Sequence, residues 1–277
     1  MQKKSESAIR GEEDRMKRDG RRILFEGISN CRDLGGLQNV EGQYIREGLL
    51  LRSAHLRNAT PTDVHDLQKY FSLREILDLR DTAEQHELPD AVVPGAVHVD
   101  AGIFENVQRG ITHEMNLPPY EIWPPMGEIY IKFVTEEPIN RNLARAVRRV
   151  LVHDYDRGAV LWHCFGGKDR CGMVAALTLS VLGVSYEVIR EDYMMTNIEA
   201  AARAEEARRK VLERGGPQKE ADFEYDANIA RESYLDSAFD ELIKCYGDAE
   251  TFLRAAGGVT QEEMDAFRTK TLYVHGV

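Results

Sequence analysis

The sequence predicts an α/β core with helical additions, and three observations carry that expectation. Short apolar segments that read as strands alternate with helix-like segments through the first two thirds of the chain. The last third is helical in pattern almost throughout. One apolar run, Val160–His163, leads straight into a glycine loop and a further helical segment. At 277 residues the chain is long enough to bury a sizeable core.

Taken in order, residues 1–22 mix both signs of charge with few apolar anchors. They read as a frayed or weakly helical arm before a single domain over 23–277. Strands are expected at Leu49–Arg52, Glu75–Leu79, Val97–Val99 and Val160–His163. Thr60 followed by Pro61 reads as an N-cap with proline at the first helical position, opening a helix toward Tyr70. From Asn142 to Val152, helical spacing puts Leu143, Val147, Val150 and Leu151 on one face, with Arg145, Arg148 and Arg149 off it. Further helices are expected at 171–182, 186–195 and 199–212, then at 233–246, 249–255 and 261–270. Two stretches resist assignment. Residues 105–138 carry prolines at 118, 119, 124, 125 and 138, and residues 213–226 are polar around Gly215-Gly216-Pro217. Connections this long commonly serve as lids, so lid segments are expected near 105–138 and 196–230.

Bulk composition narrows the function. Hydrophobic residues at 43% and charged residues at 30% are ordinary for a globular domain. A net charge of −11 argues against non-specific nucleic-acid binding, which needs a broad basic surface. It leaves open a small anionic ligand, because a buried cradle can be locally positive inside an acidic protein. Cys31, Cys164, Cys171 and Cys245 are too scattered for a disulfide framework and form no C-x-x-C pair, so no metal or other cofactor is expected. The charged N-terminus lacks the apolar core of a secretory signal, and no run reaches bilayer length. A cytoplasmic setting is the simplest expectation, with export by a route lacking such a signal left open.

The chemistry concentrates in His163-Cys164-Phe165-Gly166-Gly167-Lys168-Asp169-Arg170-Cys171-Gly172. A cysteine followed six positions later by arginine is weak evidence alone; the setting between an apolar strand and an apolar helix strengthens it. Gly166 and Gly167 let the backbone curl so that successive N–H groups face inward as an anion nest. The helix starting near Cys171 aims its positive end at the same point, and Arg170 can grip two oxygens of a phosphate. A thiol in that field ionises below the ~8.5 of free cysteine. A nucleotide-binding loop fails on spacing: its first glycine falls on Trp162, and Asp169 stands where Ser or Thr should follow Lys168.

With these residues in place, HCFGGKDRCG resembles the HCxxGKDRTG signature of microbial tyrosine and dual-specificity phosphatases, a family related to lipid phosphatases. Asn30-Cys31-Arg32-Asp33-Leu34-Gly35-Gly36, Leu51–Ala54, Leu77–Arg80 with Glu84, Asp192-Tyr193 with Asn197, and Tyr246-Gly247 extend the resemblance over roughly residues 28–270. It implies the cysteine-phosphatase fold, with a central, mostly parallel sheet flanked by helices. It implies hydrolysis of phosphate monoesters through a cysteinyl-phosphate, on phosphorylated protein first and phosphoinositide second. Cys164 is then the nucleophile, while Arg170 and the amides of Phe165 to Arg170 hold the phosphate. His163 orients the loop. Lys168 either contacts substrate or faces solvent, and the resemblance favours contact. The general acid lies between Asp169 in the loop and Asp100 after the third strand, with Glu105 a weaker third. Arg32, Asp33, Asp78, Arg80 and Glu84 read as charge pairs that scaffold the loop. Cys171 departs from the family's Ser or Thr. As a weaker donor it either slows breakdown of the intermediate or pairs with Cys164 as a reversible disulfide. A phospho-binding protein without catalysis is the alternative of another class, and the intact Cys164 and Arg170 argue against it. Arsenate reductase or sulfur transferase chemistry leaves Lys168-Asp169 and the upstream blocks unexplained.

Overall fold

The apolar segments form one sheet whose strands send successive side chains into two separate cores. The computed structural model describes residues 18–104, 119–122 and 124–274. Up to the cysteine loop the elements are β1 (Arg18–Asp19), β2 (Arg22–Ile23), β3 (Arg32–Asp33), β4 (Tyr44–Ile45), β5 (Leu50–Ser53), α1 (Pro61–Phe71), β6 (Glu75–Asp78), α2 (Thr82–Glu87), β7 (Val97–Asp100), α3 (Pro119–Ile122), α4 (Met126–Thr135), α5 (Ile139–Leu151) and β8 (Val160–His163). After it come α6 (Asp169–Val181), α7 (Tyr186–Met194), α8 (Asn197–Glu213), α9 (Gln218–Asn228), α10 (Glu232–Tyr246), α11 (Ala249–Gly257), α12 (Gln261–Thr271) and β9 (Leu272–Tyr273).

The main sheet runs β1-β2-β3-β5-β8-β6-β7. Its heart, β5-β8-β6-β7, is parallel, and the short β1, β2 and β3 extend it antiparallel at one edge. Leu50, Leu77, Val160 and Trp162 point into the larger core, which α4, α5, α6 and the C-terminal helices complete. Their neighbours Leu51, Ile76 and Leu161 point the other way, against Leu67 and Phe71 of α1. Burial on both faces is why these strands read as continuous apolar runs. α6 is buried around nearly its whole circumference, as a helix crossing the centre of a domain must be.

α1 opens as expected: Thr60 and Asp63 form a reciprocal capping box, with Pro61 at the first turn. Other expectations need correction. The arm assigned to 1–22 is not helical at its end, since residues 18–23 form the β1–β2 hairpin; residues 1–17 lie outside the described residues. The second unassigned stretch, 213–226, is mostly helix α9, which folds back along α8. Part of 105–138 is also helical, because Pro125 precedes α4 and Tyr130, Phe133 and Val134 share its buried face. Residues 105–118, Glu105 among them, lie outside the described residues. Among the described residues no helix is long and apolar enough to cross a membrane.

Parallel register brings the ends of β5, β8 and β6 level, pairing Ser53 with His163 and His163 with Asp78. The cysteine loop therefore starts at the carboxyl edge of the sheet, where open α/β folds place their ligand crevices.

Candidate active site

Cys164 lies at the base of a cavity of about 330 Å³ walled by the loop, by His55 and Glu84, and by α8 and the end of α9. The carbonyls of residues 165–168 are held by groups outside the loop. Phe165 O accepts from the His55 backbone N–H (3.2 Å), Gly166 O from Asn30 Nδ2 (3.0 Å), and Gly167 O and Lys168 O from Arg52 Nη2 (2.8 and 3.3 Å). A trans peptide points its N–H opposite to its carbonyl, so the amides of residues 166–169 turn inward. Gly167 is required for this path: its φ is +69°, and a Cβ there would lie 2.7 Å from the Ser53 carbonyl. Gly166 is under no such demand, since a Cβ would meet open space. α6 begins at Asp169, two residues before the expected start, with no side chain capping it. Its first-turn amides thus remain available to an anion.

The Cys164 thiol is drawn down to about 5. The main cause is hydrogen bonding from the Cys171 thiol, helped by the Arg170 charge and the Cys171 backbone N–H against the opposing effect of burial. Cys171 is raised well above the ordinary thiol value, by burial and by its neighbour, so it stays a donor. The Ser53 carbonyl, 3.6 Å from its Sγ, is a competing acceptor for its one hydrogen, and both cysteines are free thiols.

Arg170 is aimed by Glu84, which takes Nη1 at 2.6 Å and Nη2 at 2.9 Å. Burial opposes the charge on Arg170, but Glu84 and Cys164 more than compensate and hold its pKa above the ordinary arginine value. Glu84 is itself fixed at the third position of α2 by a capping box with Asp81. Of the charged residues expected to scaffold the loop, it is the one that grips the loop arginine directly.

His163 is fully buried, with Nε2 3.1 Å from Asp90 Oδ2 and Nδ1 3.4 Å from the Cys164 carbonyl. Burial would lower its pKa, but Asp90 and Asp78 outweigh that and raise it. Asp78, Asp90 and His163 converge closely enough to ligate a cation, yet the Arg80 guanidinium already bridges the two carboxylates at 2.6 and 2.7 Å. Behind the loop, Asp192 gathers Arg21, Arg32 and Arg52 at 2.6, 3.2 and 3.0 Å. Asp33, by contrast, accepts backbone N–H groups of Gly35 and Gly48.

Two expected residues, Asp100 and Lys168, fall elsewhere than foreseen, and Phe165 stays at the cavity. Asp100 ends β7, where its Oδ1 accepts from Gln85 Nε2 (3.0 Å) and Gly102 N–H (3.2 Å); it is exposed and borders a different cavity with Arg145 and Arg149. The structure does not bring it to Cys164, because β7 is the edge strand beyond β6. Lys168 borders the cavity, but its Nζ donates to the carbonyls of Ala227 (2.7 Å) and Ile229 (3.0 Å), fastening the end of α9 to the loop rather than facing solvent. Phe165, 51% exposed, stands at the rim with its ring edge-on to His55.

Asp169 does face the cavity, and its Oδ1 accepts a 2.6 Å hydrogen bond from Tyr130 of α4. Tyr130 and Asp90 are site residues that sequence reasoning missed. The buried stripe Tyr130–Phe133–Val134 was the available signal for the first, obscured by surrounding prolines; nothing in the sequence marked Asp90.

Residues 23–273 match the tyrosine phosphatase family. Similar proteins include a putative tyrosine-protein phosphatase of Cupriavidus necator, 25% identical over 84% of this chain and 83% of the relative. A triple specificity protein phosphatase of Mycobacterium tuberculosis is 26% identical over 62% of this chain and 67% of its own. A tyrosine-protein phosphatase of Nostoc commune is 23% identical over 79% and 73%. The matched span runs from β2 to β9 and includes every described element around the cysteine loop; this chain belongs to the tyrosine phosphatase family.

Proposed function

We propose that the protein hydrolyses phosphotyrosine in proteins, with broad specificity extending to other phosphate monoesters, through a cysteinyl-phosphate. The observation that carries this is Cys164, a thiol drawn down to about 5 inside a ring of inward amides and beside an arginine pre-aimed by Glu84. Cys164 Sγ attacks phosphorus in line and the ester oxygen leaves. The amides of 166–169 and Arg170 take the equatorial oxygens, whose charge is spread in the transition state. Asp169, the acidic candidate that lines the cavity, protonates the leaving oxygen and then, as carboxylate, accepts the proton of the water that frees phosphate. His163 and Asp90 fix the first peptide of the loop from behind. Three buried free thiols fit a reducing, cytoplasmic setting.

A second reading, phosphoinositide hydrolysis, is favoured by Arg203 of α8, exposed on the cavity wall where a second substrate phosphate would reach it. Phosphate release from phosphotyrosine peptide, phosphothreonine peptide and phosphoinositides tests both, with Cys164→Ser as control. Release from phosphotyrosine that vanishes in Cys164→Ser is expected. Equal weak release by both proteins defeats the catalytic reading in favour of a phosphate-binding one.

A further inference from the structure

Three tyrosines from three helices meet beneath the cysteine loop: Tyr130 of α4, Tyr193 of α7 and Tyr234 of α10. Tyr130 and Tyr193 are almost fully buried, and their hydroxyl oxygens are 2.7 Å apart. Tyr130 also reaches Asp169 Oδ1 at 2.6 Å. A hydroxyl has one hydrogen to give. Since Tyr130 gives its hydrogen to Asp169, the Tyr193 hydroxyl must donate to Tyr130, and the chain has one direction: Tyr193 to Tyr130 to Asp169.

Lys168 Nζ, 3.5 Å away, also faces Oδ1. Among the described residues, both groups that reach the carboxyl therefore meet the same oxygen. A proton carried by Asp169 is left to Oδ2, which has no hydrogen-bond partner among the described residues.

We propose that Tyr130, braced by Tyr193, is a positioning residue that pins Oδ1 of Asp169 and so presents Oδ2 as the proton-carrying oxygen to the leaving group. This deepens the reading of Asp169 given above and rests on it. Burial and the Asp169 charge hold the Tyr130 hydroxyl well above its ordinary pKa, so it remains a donor throughout the working pH range. The ring is wedged among Phe133, Tyr193 and Tyr234, which leaves the hydroxyl little freedom to swing away. In the step itself, the Oδ2–H bond breaks as the leaving oxygen gains the proton, and both Tyr hydroxyls keep theirs.

The test is a double-mutant cycle of Tyr130→Phe and Asp169→Asn, read on two aryl phosphates. One releases a phenol of pKa ~10, like tyrosine; the other releases dinitrophenol, which needs no acid. Tyr130→Phe is expected to lower kcat about 10-fold on the first ester, leave the second within about 2-fold, and leave KM unchanged. In the Asp169→Asn background it is expected to cost nothing further. Tyr193→Phe should reproduce the pattern more weakly, and it serves if Tyr130→Phe folds poorly. An equal Tyr130→Phe loss on both esters, or a loss that adds in full to that of Asp169→Asn, overturns the inference alone. A uniform loss in Asp169→Asn overturns the acid assignment and the inference together. Cys164→Ser, inactive in either case, reports separately on the phosphatase reading.

Discussion

Cys164 and Cys171 divide one task, the second thiol donating to the first. Ionisation of Cys164 should therefore be visible directly as alkylation. The rate of carbamidomethylation by iodoacetamide is expected to rise with pH through a midpoint near 5, because the thiolate exists above that value and is lost as pH falls through it. Cys171→Ala removes the largest cause of the depression, so its midpoint should move up toward the free-thiol value of ~8.5. An unmoved midpoint would assign the activation to Arg170 and the amides alone. The same proximity leads us to expect that Cys171 acts as a resolving thiol. Hydrogen peroxide oxidises the Cys164 thiolate to a sulfenic acid by two electrons; the Cys171 sulfur then attacks it, forming the S–S bond and releasing water. Peptide mapping after mild peroxide should find the 164–171 disulfide and activity recoverable with dithiothreitol. Finding only sulfinic Cys164 would refute it.

At the level of elements, the loop is held by what its neighbours do with their charges. Asp192 on α7 ties Arg32 of β3 and Arg52 of β5 together, and Arg52 in turn holds two loop carbonyls. Burial and Arg52 already push Arg32 down to about 10, so this cluster depends on its single shared carboxylate. Asp192→Asn should cost about 3–5 kcal/mol in urea unfolding, since it leaves buried cations without a counter-charge; a loss under about 1 kcal/mol would mean that water or relaxation satisfies them. Part of this was legible. The strand–glycine–helix order located the loop because each piece states its own conformation: an apolar strand, a left-handed glycine at 167, an apolar helix. α9 was not legible, because it buries chiefly Ala221 and owes its place to α8 and to Lys168 rather than to a periodic pattern. Asp100 misled for a related reason. Its position after a strand was right for a catalytic acid, but strand order decides which cavity a strand end faces, and local sequence does not encode that order.

For the molecule as a whole, the C-terminal helices look in sequence like an appendage to an α/β unit, and their packing says otherwise. Phe252, Leu253, Met264 and Phe267 share one continuous core with Leu50, Leu77 and Trp162 of the sheet. β9, the last described strand, pairs with β4 in a second small sheet, matching Tyr44 with Tyr273 and Ile45 with Leu272. Arg46 N–H donates to the Thr271 carbonyl beside it, so residues from opposite ends of the chain close on each other. Neither the sheet nor the helices could lose the other without exposing the same apolar surface, at roughly 25 cal/mol per Å². Unfolding should therefore be a single cooperative event. Far-ultraviolet circular dichroism, dominated by the helices, and the fluorescence of Trp162, buried in the sheet and isolated by Trp123→Phe, are expected to give coincident urea transitions. Removal of residues 259–277 should abolish that transition rather than trim it, because Met264, Phe267 and Leu272 leave the core together and β4 loses its partner. If the truncated chain kept a sharp transition at the Trp162 probe, α12 and β9 would be a separable addition to an independent folding unit.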